Sequence, residues 1–435
     1  TSPDRTPNVA EGAGFEPAGR RRPAVFKTAA FSHSAIPPRN MYLYQIRSPQ
    51  GREKGARDGL EHGWYDSQSG RTSSVFSGKG GIRMRFSDPQ ASLLVRATNW
   101  LGDAVMTTPA LAGVREGIPA ARIILLARPL VAELFRHHPD VDEVMVYERP
   151  GRHEGAAGRF RLAGELRRRR FDGALLLQNA FDAALLAFLA GIPERAGYPT
   201  DGRRLLLSLP VPLPRDILER HEVEYYLCLL DGLGIPRPVP AALKLAVTEE
   251  EKDAMAARLA SRGIEPGAPI VAINPGATYG SAKRWYPDRF AAVGDSLSAE
   301  WGARVVVVGS AAEAPLAGEI EAAARRDVVN LAGKTTVREI MALLSLSSFL
   351  VTNDSGPMHI GAALGVPLVA IFGPTDWRRT SPWTKRAKVV RVEIDCSPCK
   401  RRVCDRGHEC MLGVTPDMVI AAAKELLPSG PRTVA

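Results

Sequence analysis

Residues 92–118 read SLLVRATNWLGDAVMTTPALAGVREGI and contain two hydrophobic periods in succession. The apolar run over residues 93–95 predicts a buried strand, and the apolar spacing from Pro109 onward predicts a helix. Pro109 suits the first position of that helix, so residues 99–106 are left as an irregular turn at the carboxyl end of the strand. Together these elements predict the first unit of a parallel α/β fold.

The turn contains an unexpected carboxylate. A nucleotide-binding turn of this kind normally has several glycines and bare backbone N–H groups. Here a single Gly102 is followed at once by Asp103. Two interpretations fit the residues: Asp103 projects into a ligand cleft, or it is a helix-capping Asp, which the helix dipole favours in the first turn.

Short apolar runs and helical patterns continue to alternate along the chain. Strands are predicted within residues 122–129, 141–148, 173–180, 270–276, 304–310, 349–355 and 367–374. Such alternation predicts parallel sheets with helices on both faces. Because a Pro-rich connection separates two halves, we predict two Rossmann-like, doubly wound α/β domains, residues 84–240 and 241–435, facing each other across a cleft. Ligands of such sheets bind at the carboxyl ends of the strands.

Residues 1–83 show no sustained hydrophobic period and are rich in Ser, Arg, Gly and Pro. We expect this stretch to be disordered, or to be an upstream extension of a reading frame that starts at Met84. The stretch contains 13 Lys and Arg against 7 Asp and Glu, so a basic membrane-binding arm is the functional alternative.

The composition of the 435-residue chain, 45% hydrophobic and 24% charged, is typical of a soluble globular protein. Its net charge of +10 suits an anionic substrate or a membrane surface. The most apolar span, residues 174–193, is interrupted by Gln178, Asn179 and Asp182, and so falls short of the roughly 20 apolar residues of a spanning helix. We expect a cytoplasmic protein whose five cysteines are reduced.

Residues 274–287, NPGATYGSAKRWYP, follow the first predicted strand of the second half. Two glycines, Thr278 and Ser281 offer backbone and hydroxyl donors. Lys283 and Arg284 add positive charge, and the combination favours binding of a diphosphate. The alternative is an ordinary loop whose basic side chains point into water.

Another strand end reads VTNDSGPMHIGAALGVP, residues 351–367. Asp354, Ser355 and Gly356 precede or open a small-residue helix, where N–H groups and a hydroxyl are suited to bind an anion. His359 falls within the first turn or so of that helix. It either contacts a ligand or is a packed, hydrogen-bonded residue of the interior.

Two further features each allow a functional and a structural interpretation. Glu313 follows the strand of residues 304–310 and either accepts hydrogen bonds from ribose hydroxyls or lies in solvent. Residues 167–170 are four arginines in a row, which are typical of a solvated helix face and alternatively suit anionic lipid.

Four cysteines cluster near the C-terminus as C-x2-C-x4-C-x5-C, with His408 among them: Cys396, Cys399, Cys404 and Cys410. Four thiolates suit zinc or an iron–sulfur cluster. The run lacks the second tight C-x2-C pair of common zinc ribbons, and free thiols that pack a C-terminal excursion are the alternative. We expect no catalytic metal here.

Four motifs, at residues 96–111, 274–287, 353–376 and 396–419, closely resemble in order and spacing those of glycosyltransferase family 9, the heptosyltransferases. The resemblance covers about residues 91–425. It implies a GT-B fold, with the acceptor on the N-terminal domain and ADP-heptose mainly on the C-terminal one. It also implies a metal-independent, inverting transfer of L-glycero-D-manno-heptose to the first heptose of the lipopolysaccharide inner core, on lipid A. Trp100 and the cysteine-rich segment favour the enzyme that adds the second heptose over its sister that adds the first.

The resemblance implies residue roles as well. Asp103 would be the general base, and Lys283 would neutralise the diphosphate. The other donor-site residues would be Thr278, Glu313, Thr335, Asp354, Ser355, Gly356 and His359. No metal or other cofactor is implied, and the enzyme would contact the cytoplasmic face of the inner membrane peripherally.

Two alternative functions come from different classes. One is another GT-B transferase of the family, with a different acceptor or sugar, because a fold alone does not select the substrate. The other is a metal-dependent module that binds nucleic acid through the cysteine cluster. The sequence CKRRVCDRGHEC has the charge for that role but no aromatic residues, so we expect no nucleic-acid partner.

Overall fold

The computed structural model describes residues 91–431. The predictions for residues 1–83 and for a start at Met84 fall outside this range. Among residues 91–431, no helix combines the length and the apolarity that a bilayer crossing requires.

The N-terminal half is a six-stranded parallel sheet with strand order β3-β2-β1-β4-β5-β6. The strands are β1 (Ser92–Arg96), β2 (Arg122–Ala127), β3 (Glu143–Val146), β4 (Gly173–Leu176), β5 (Glu194–Gly197) and β6 (Leu209–Pro210). The helices are α1 (Leu101–Met106), α2 (Thr108–Gly117), α3 (Pro129–Leu134), α4 (Gly155–Arg168), α5 (Phe181–Leu189) and α6 (Glu222–Gly232). A short 3-10 helix covers Arg204–Leu206.

The C-terminal half repeats the architecture with strand order β12-β11-β10-β7-β8-β9. The strands are β7 (Ile270–Asn274), β8 (Arg304–Val307), β9 (Val328–Asn330), β10 (Phe349–Asn353), β11 (Leu368–Ile371) and β12 (Ala387–Val390). The helices are α7 (Glu249–Ala260), α8 (Pro287–Trp301), α9 (Ala314–Ala323), α10 (Val337–Leu346), α11 (Gly356–Ala363), α12 (Trp377–Thr380), α13 (Glu409–Leu412) and α14 (Pro416–Leu426).

Strand β1 shows why the apolar runs are continuous. It pairs in parallel with both β2 and β4, so it lies inside the sheet. Leu93 and Val95 enter one hydrophobic core, and Leu94 enters another on the opposite face. Because helices cover both faces, the central residues of the strand, 93–95, are all apolar.

The first of these cores joins the two halves, since it contains Leu93 of β1 together with Met358 of α11 and Leu368 of β11. Helix α1 packs directly on α11. The prediction of two Rossmann-like α/β halves is confirmed. One local prediction was wrong: residues 99–106 are not an irregular turn, because residues 101–106 form α1.

Helix ends in the C-terminal half follow local sequence signals. Thr248 and Glu251 form a reciprocal capping box at the start of α7, and Thr336 with Glu339 does the same for α10. Gly302 ends α8 in the left-handed conformation, with φ of 63°.

Candidate active site

The site lies where α1 and α11 meet, at the carboxyl ends of β1 and β10. A Cβ atom on Gly102 would lie 2.9 Å from Cδ2 of His359, and one on Gly356 would lie 3.1 Å from Cβ of Leu101. Both distances are closer than ordinary van der Waals contact. The absence of side chains at Gly102 and Gly356 therefore allows the starts of the two helices to approach each other.

Asp103 stands in the first turn of α1 and keeps part of its surface accessible. Its pKa is raised to about 7, chiefly because burial penalises the charged form and secondly because Glu222 repels it. Lys283 and Arg379 act in the opposite direction without cancelling these effects. A carboxylate with a pKa near neutrality is suited to take up a proton at physiological pH.

No hydrogen bond supports the interpretation of Asp103 as a helix cap. Trp100 is the N-cap residue of α1, and its side chain does not cap the helix. Within residues 91–431 the Asp103 carboxylate is bonded neither to a backbone N–H group nor to a cation.

Lys283, in contrast, is firmly paired. Its Nζ donates to Oδ2 of Asp354 over 2.6 Å, and Thr375 Oγ1 donates to the same oxygen over 2.6 Å. The ammonium also lies 5.0 Å from the centroid of the Tyr279 ring, a cation–π distance. The alternative in which Lys283 points into water is wrong. Thr375 and Tyr279 are site residues that the sequence alone did not single out.

The Ser355 hydroxyl is hydrogen-bonded to a residue at the end of the neighbouring strand, β7. The amide of Asn274, the last residue of β7, donates to Oγ of Ser355 over 2.8 Å and to Oγ1 of Thr352 over 3.0 Å. Ser355 is the N-cap residue of α11 but its side chain accepts no capping bond. Asn274 thus fixes the Ser355 hydroxyl beside the Lys283–Asp354 pair.

His359 is buried, and its pKa is lowered to about 4, chiefly by burial. The ring is therefore neutral near pH 7 and contributes no positive charge. Its Nδ1 atom has no hydrogen-bond partner within the described residues. His359 is thus packed in the interior, and because a buried nitrogen without a partner suits a bound ligand, its role as a ligand contact stays a prediction.

Glu313 is buried against the end of β7, so the alternative in which it lies in solvent is wrong. Its Oε2 accepts from the backbone N and from Oγ of Ser310, each over 2.8 Å. A Cβ on Gly276 would lie 2.0 Å from Oε1 of Glu313. Glycine at position 276 is thus what lets the carboxylate lie over the strand end.

The remaining two predicted donor residues lie at the edge of this region. Thr335 precedes the N-cap of α10, and its Oγ1 is buried without a partner among the described residues. Thr278 is exposed. Their roles stay predictions.

A set of polar contacts connects the halves close to Asp103. Glu222, the first residue of α6, is ion-paired with Arg379 of α12. The adjacent His221 bonds through Nε2 to the backbone oxygen of Ser381 over 2.9 Å. Glu222 also raises the pKa of Asp103. No motif in the sequence pointed to Glu222 or Arg379.

The cysteine-rich segment supports the loop that holds Lys283. The Arg402 carbonyl accepts from Ala282 N over 3.0 Å, and a Cβ on Gly280 would lie 2.1 Å from that oxygen. His408 bonds through Nε2 to the backbone oxygen of Ala282 over 2.8 Å. The His408 ring is therefore hydrogen-bonded to the loop that holds Lys283.

The four cysteines of this segment are free thiols. Burial, and secondly the other three cysteines, raise the pKa of Cys410 to about 11. Among the described residues, no group of three or more His, Cys, Asp or Glu side chains is arranged to hold a metal ion.

Comparison with known proteins places this geometry in context. The model of glycosyltransferase family 9 (heptosyltransferase) matches residues 159–409. Lipopolysaccharide heptosyltransferase 2 of Salmonella typhimurium is 32% identical over 346 residues, which are 77% of this chain and 98% of that protein. The solved structure of Escherichia coli ADP-heptose lipopolysaccharide heptosyltransferase II is similar with a TM-score of 0.66 and 30% identity, over 78% of this chain and 98% of that one. A family 9 glycosyltransferase of Veillonella parvula, 24% identical, shares the fold with a TM-score of 0.71 over 79% of this chain and 98% of that one.

Proposed function

This chain belongs to glycosyltransferase family 9, and we propose that it moves L-glycero-D-manno-heptose from ADP-heptose to the first heptose of the lipopolysaccharide inner core. The protein is thus a glycosyltransferase, and its GT-B fold is that of the solved heptosyltransferases. The observation that carries the proposal is the contrast between two side chains of the site, a carboxylate and a cation. A carboxylate with a pKa of about 7, Asp103, lies close enough to Lys283 to be influenced by its charge, and Lys283 is a cation ion-paired with Asp354.

The proposed reaction is a single inverting displacement. The acceptor hydroxyl attacks the anomeric carbon of the heptose, while Asp103 takes the hydroxyl proton. As the new C–O bond forms, the bond between the anomeric carbon and the diphosphate oxygen breaks, and ADP leaves with the bonding electrons. This follows the geometry of inverting glycoside hydrolysis, with a sugar hydroxyl in place of water.

Charge on the departing ADP is met by the C-terminal half. Lys283 is oriented by Asp354, whose carboxylate is itself held by Thr375, so the ammonium is fixed before the donor binds. Ser355 and Gly356, at the start of α11, add a hydroxyl and backbone N–H groups close by. Glu313, Thr278, Thr335 and His359 complete the proposed donor site. No metal is needed in this scheme, and chelator treatment should leave the rate unchanged.

The acceptor is attached to lipid A, so we propose that the enzyme works in the cytoplasm, peripherally at the inner membrane. The experiment offers ADP-heptose with two acceptors, one lacking all heptose and one carrying the first. The expected product has one added heptose on the second acceptor only, as determined by mass spectrometry. Addition to the acceptor without heptose would instead assign the chain to the first transfer.

A further inference from the structure

One face of the N-terminal half exposes four large apolar side chains: Phe160 (64% exposed), Phe181 (43%), Phe188 (49%) and Leu205 (93%). We call it the α4–α5 face. Phe181 and Phe188 are seven positions apart on α5, so they lie on one side of the helix. The opposite side of α5 already packs into the core. Helix α5 is therefore apolar on both sides, and one of them has no protein partner within the described residues.

The four side chains belong to one surface. Helix α4, which carries Phe160, packs on α5, and the 3-10 helix that carries Leu205 also contacts α5. Arg159 Nε donates to Oδ1 of Asp182 over 2.6 Å, which ties the residue before Phe160 to the residue after Phe181. At the far end of α5, the Arg195 guanidinium lies 5.4 Å from the centroid of the Phe188 ring.

The segment that carries these apolar side chains is rich in arginine. Residues 149–206 contain 11 Arg against 6 Asp and Glu, a net charge of +5, and all of these arginines except the buried Arg203 keep part of their surface accessible. Two of the acidic residues, Glu165 and Asp182, are already ion-paired with arginines of the same segment. Arg168 and Arg204 are exposed and have no ion-pair partner among residues 91–431. The segment that carries the apolar side chains is thus net positive and exposes arginines.

We infer that the α4–α5 face docks on an anionic phospholipid bilayer. Aromatic and leucine side chains partition into the boundary between headgroups and acyl chains, and arginines bind the phosphates around them. A second copy of the chain suits this face poorly, because a symmetric dimer would bring two net positive segments together. The inference rests on the proposed function, in which the acceptor is anchored in such a bilayer.

The position of the face relative to the site agrees with this arrangement. Phe181 opens α5, which follows β4, and β4 is the direct neighbour of β1 in the parallel sheet. The carboxyl ends of β1 and β4 therefore lie at the same edge, so the start of the apolar stripe and Asp103 share that edge. A bilayer docked there would present its lipid-linked sugars on the side of the general base.

The test measures binding of the full chain to vesicles of phosphatidylethanolamine and phosphatidylglycerol by flotation. The double variant Phe160→Ser/Phe188→Ser should bind about tenfold more weakly, because two apolar side chains no longer enter the bilayer. Arg204→Glu should bind several-fold more weakly, and this loss should disappear on vesicles of phosphatidylcholine alone. Matched controls change equally exposed residues elsewhere. Val403→Ser alters a side chain that is 67% exposed, and Arg326→Glu reverses an exposed arginine of the C-terminal half.

The outcomes separate this inference from the proposed function. Unchanged flotation of the double variant, or equal losses in the two controls, would overturn the α4–α5 face as the docking surface. A native dimer that the double variant abolishes in light scattering would assign the face to a second copy instead. Transfer to an acceptor freed of its acyl chains should proceed at the native rate in all four variants. Failure of the native protein in that assay would contradict the proposed function and leave the vesicle result standing.

Discussion

The two halves of the molecule each bring a carboxylate to the cleft, and the two carboxylates have opposite surroundings. Asp103, from the N-terminal half, bonds to no cation in the part of the chain that the structure describes, and its pKa is raised to about 7. Asp354, from the C-terminal half, accepts from Lys283 and Thr375. The first is suited to exchange a proton, whereas the second is engaged in fixing a cation. In the proposed reaction, one half would supply the base and the other would supply charge for the leaving group.

The largest expected effect comes from removing the basic carboxylate. Asp103→Asn keeps the shape of the side chain but cannot take the acceptor proton, so turnover should fall by about 10²–10⁴-fold. Affinity for ADP-heptose should hardly change, because the proposed donor site lies in the other half. Steady-state rates and donor titration on the same variant measure both quantities. Near-normal turnover would contradict the role of Asp103 as the base and leave it only a first-turn residue of α1.

A melting experiment serves as the control for this variant. The pKa of Asp103 is about 7 in the folded protein, against 3.8 as the ordinary value, so its ionisation opposes folding. Below about pH 4 the Asp103 carboxyl is protonated and its burial costs no ionisation energy. As the pH rises from about 4 through about 7, the free energy of unfolding therefore decreases. Asp103→Asn should therefore be more stable than the native protein at pH 8, by about 1–3 kcal/mol, and this gain should vanish near pH 4. A variant that melts earlier at pH 8 contradicts the burial argument.

The second effect comes from the other half. Lys283→Ala should weaken donor binding and slow turnover by about 10²-fold, because the cation meets charge both on the bound diphosphate and on departing ADP. The variant also leaves the Asp354 carboxylate buried without its ion pair, so the melting temperature should drop. Lys283→Ala/Asp354→Asn should recover stability without recovering turnover. Recovery of both, or unchanged donor affinity in the single variant, would remove Lys283 from the site.

Sequence reasoning reached these two regions for a physical reason. Strands buried on both faces are continuously apolar, as residues 93–95 are, so the polar residues that follow such runs stand out. Lys283, Asp354 and Asp103 were found in this way, and the resemblance to glycosyltransferase family 9 is confirmed. Whether the predicted site residues have their predicted roles stays to be measured.

Helix α1 and the contact between Glu222 and Arg379 could not be predicted, because a local sequence pattern does not contain the information. The pattern predicts a turn over residues 101–106 because Pro109 suits the start of a helix, yet Pro109 lies in the first turn of a second helix, α2, which follows α1. Glu222 and Arg379 are 157 positions apart and lie on different halves. Neither residue stands in a periodic pattern that signals the other. Contacts between halves arise from tertiary packing, which one sequence without an alignment does not reveal.

A third prediction tests the close approach of α1 and α11. Gly102→Ala would place a Cβ 2.9 Å from the buried His359 ring, so the two helices must separate. We expect a loss of about 1–3 kcal/mol of stability and slower turnover as Asp103 shifts. Gly164→Ala on α4 is the matched control, because no atom lies within 4 Å of its added Cβ. The control should be neutral or stabilised by up to about 1 kcal/mol. Equal melting temperatures of the two variants would contradict the packing argument.

The smallest expected effect sharpens the comparison most, because it concerns only the pKa of Asp103. In the native protein kcat/KM should rise with pH up to about 7 and then level off, since protonated Asp103 cannot act as a base.

Glu222 raises the pKa of Asp103 and Arg379 lowers it. Glu222→Gln should therefore move the rising limb to lower pH, and Arg379→Gln should move it to higher pH. Both variants break the same ion pair between the halves, so a purely structural defect would affect the two profiles alike. Opposite shifts would show that the pair controls the protonation of Asp103, whereas shifts in one direction, or none, would reduce Glu222 and Arg379 to a structural contact between the halves.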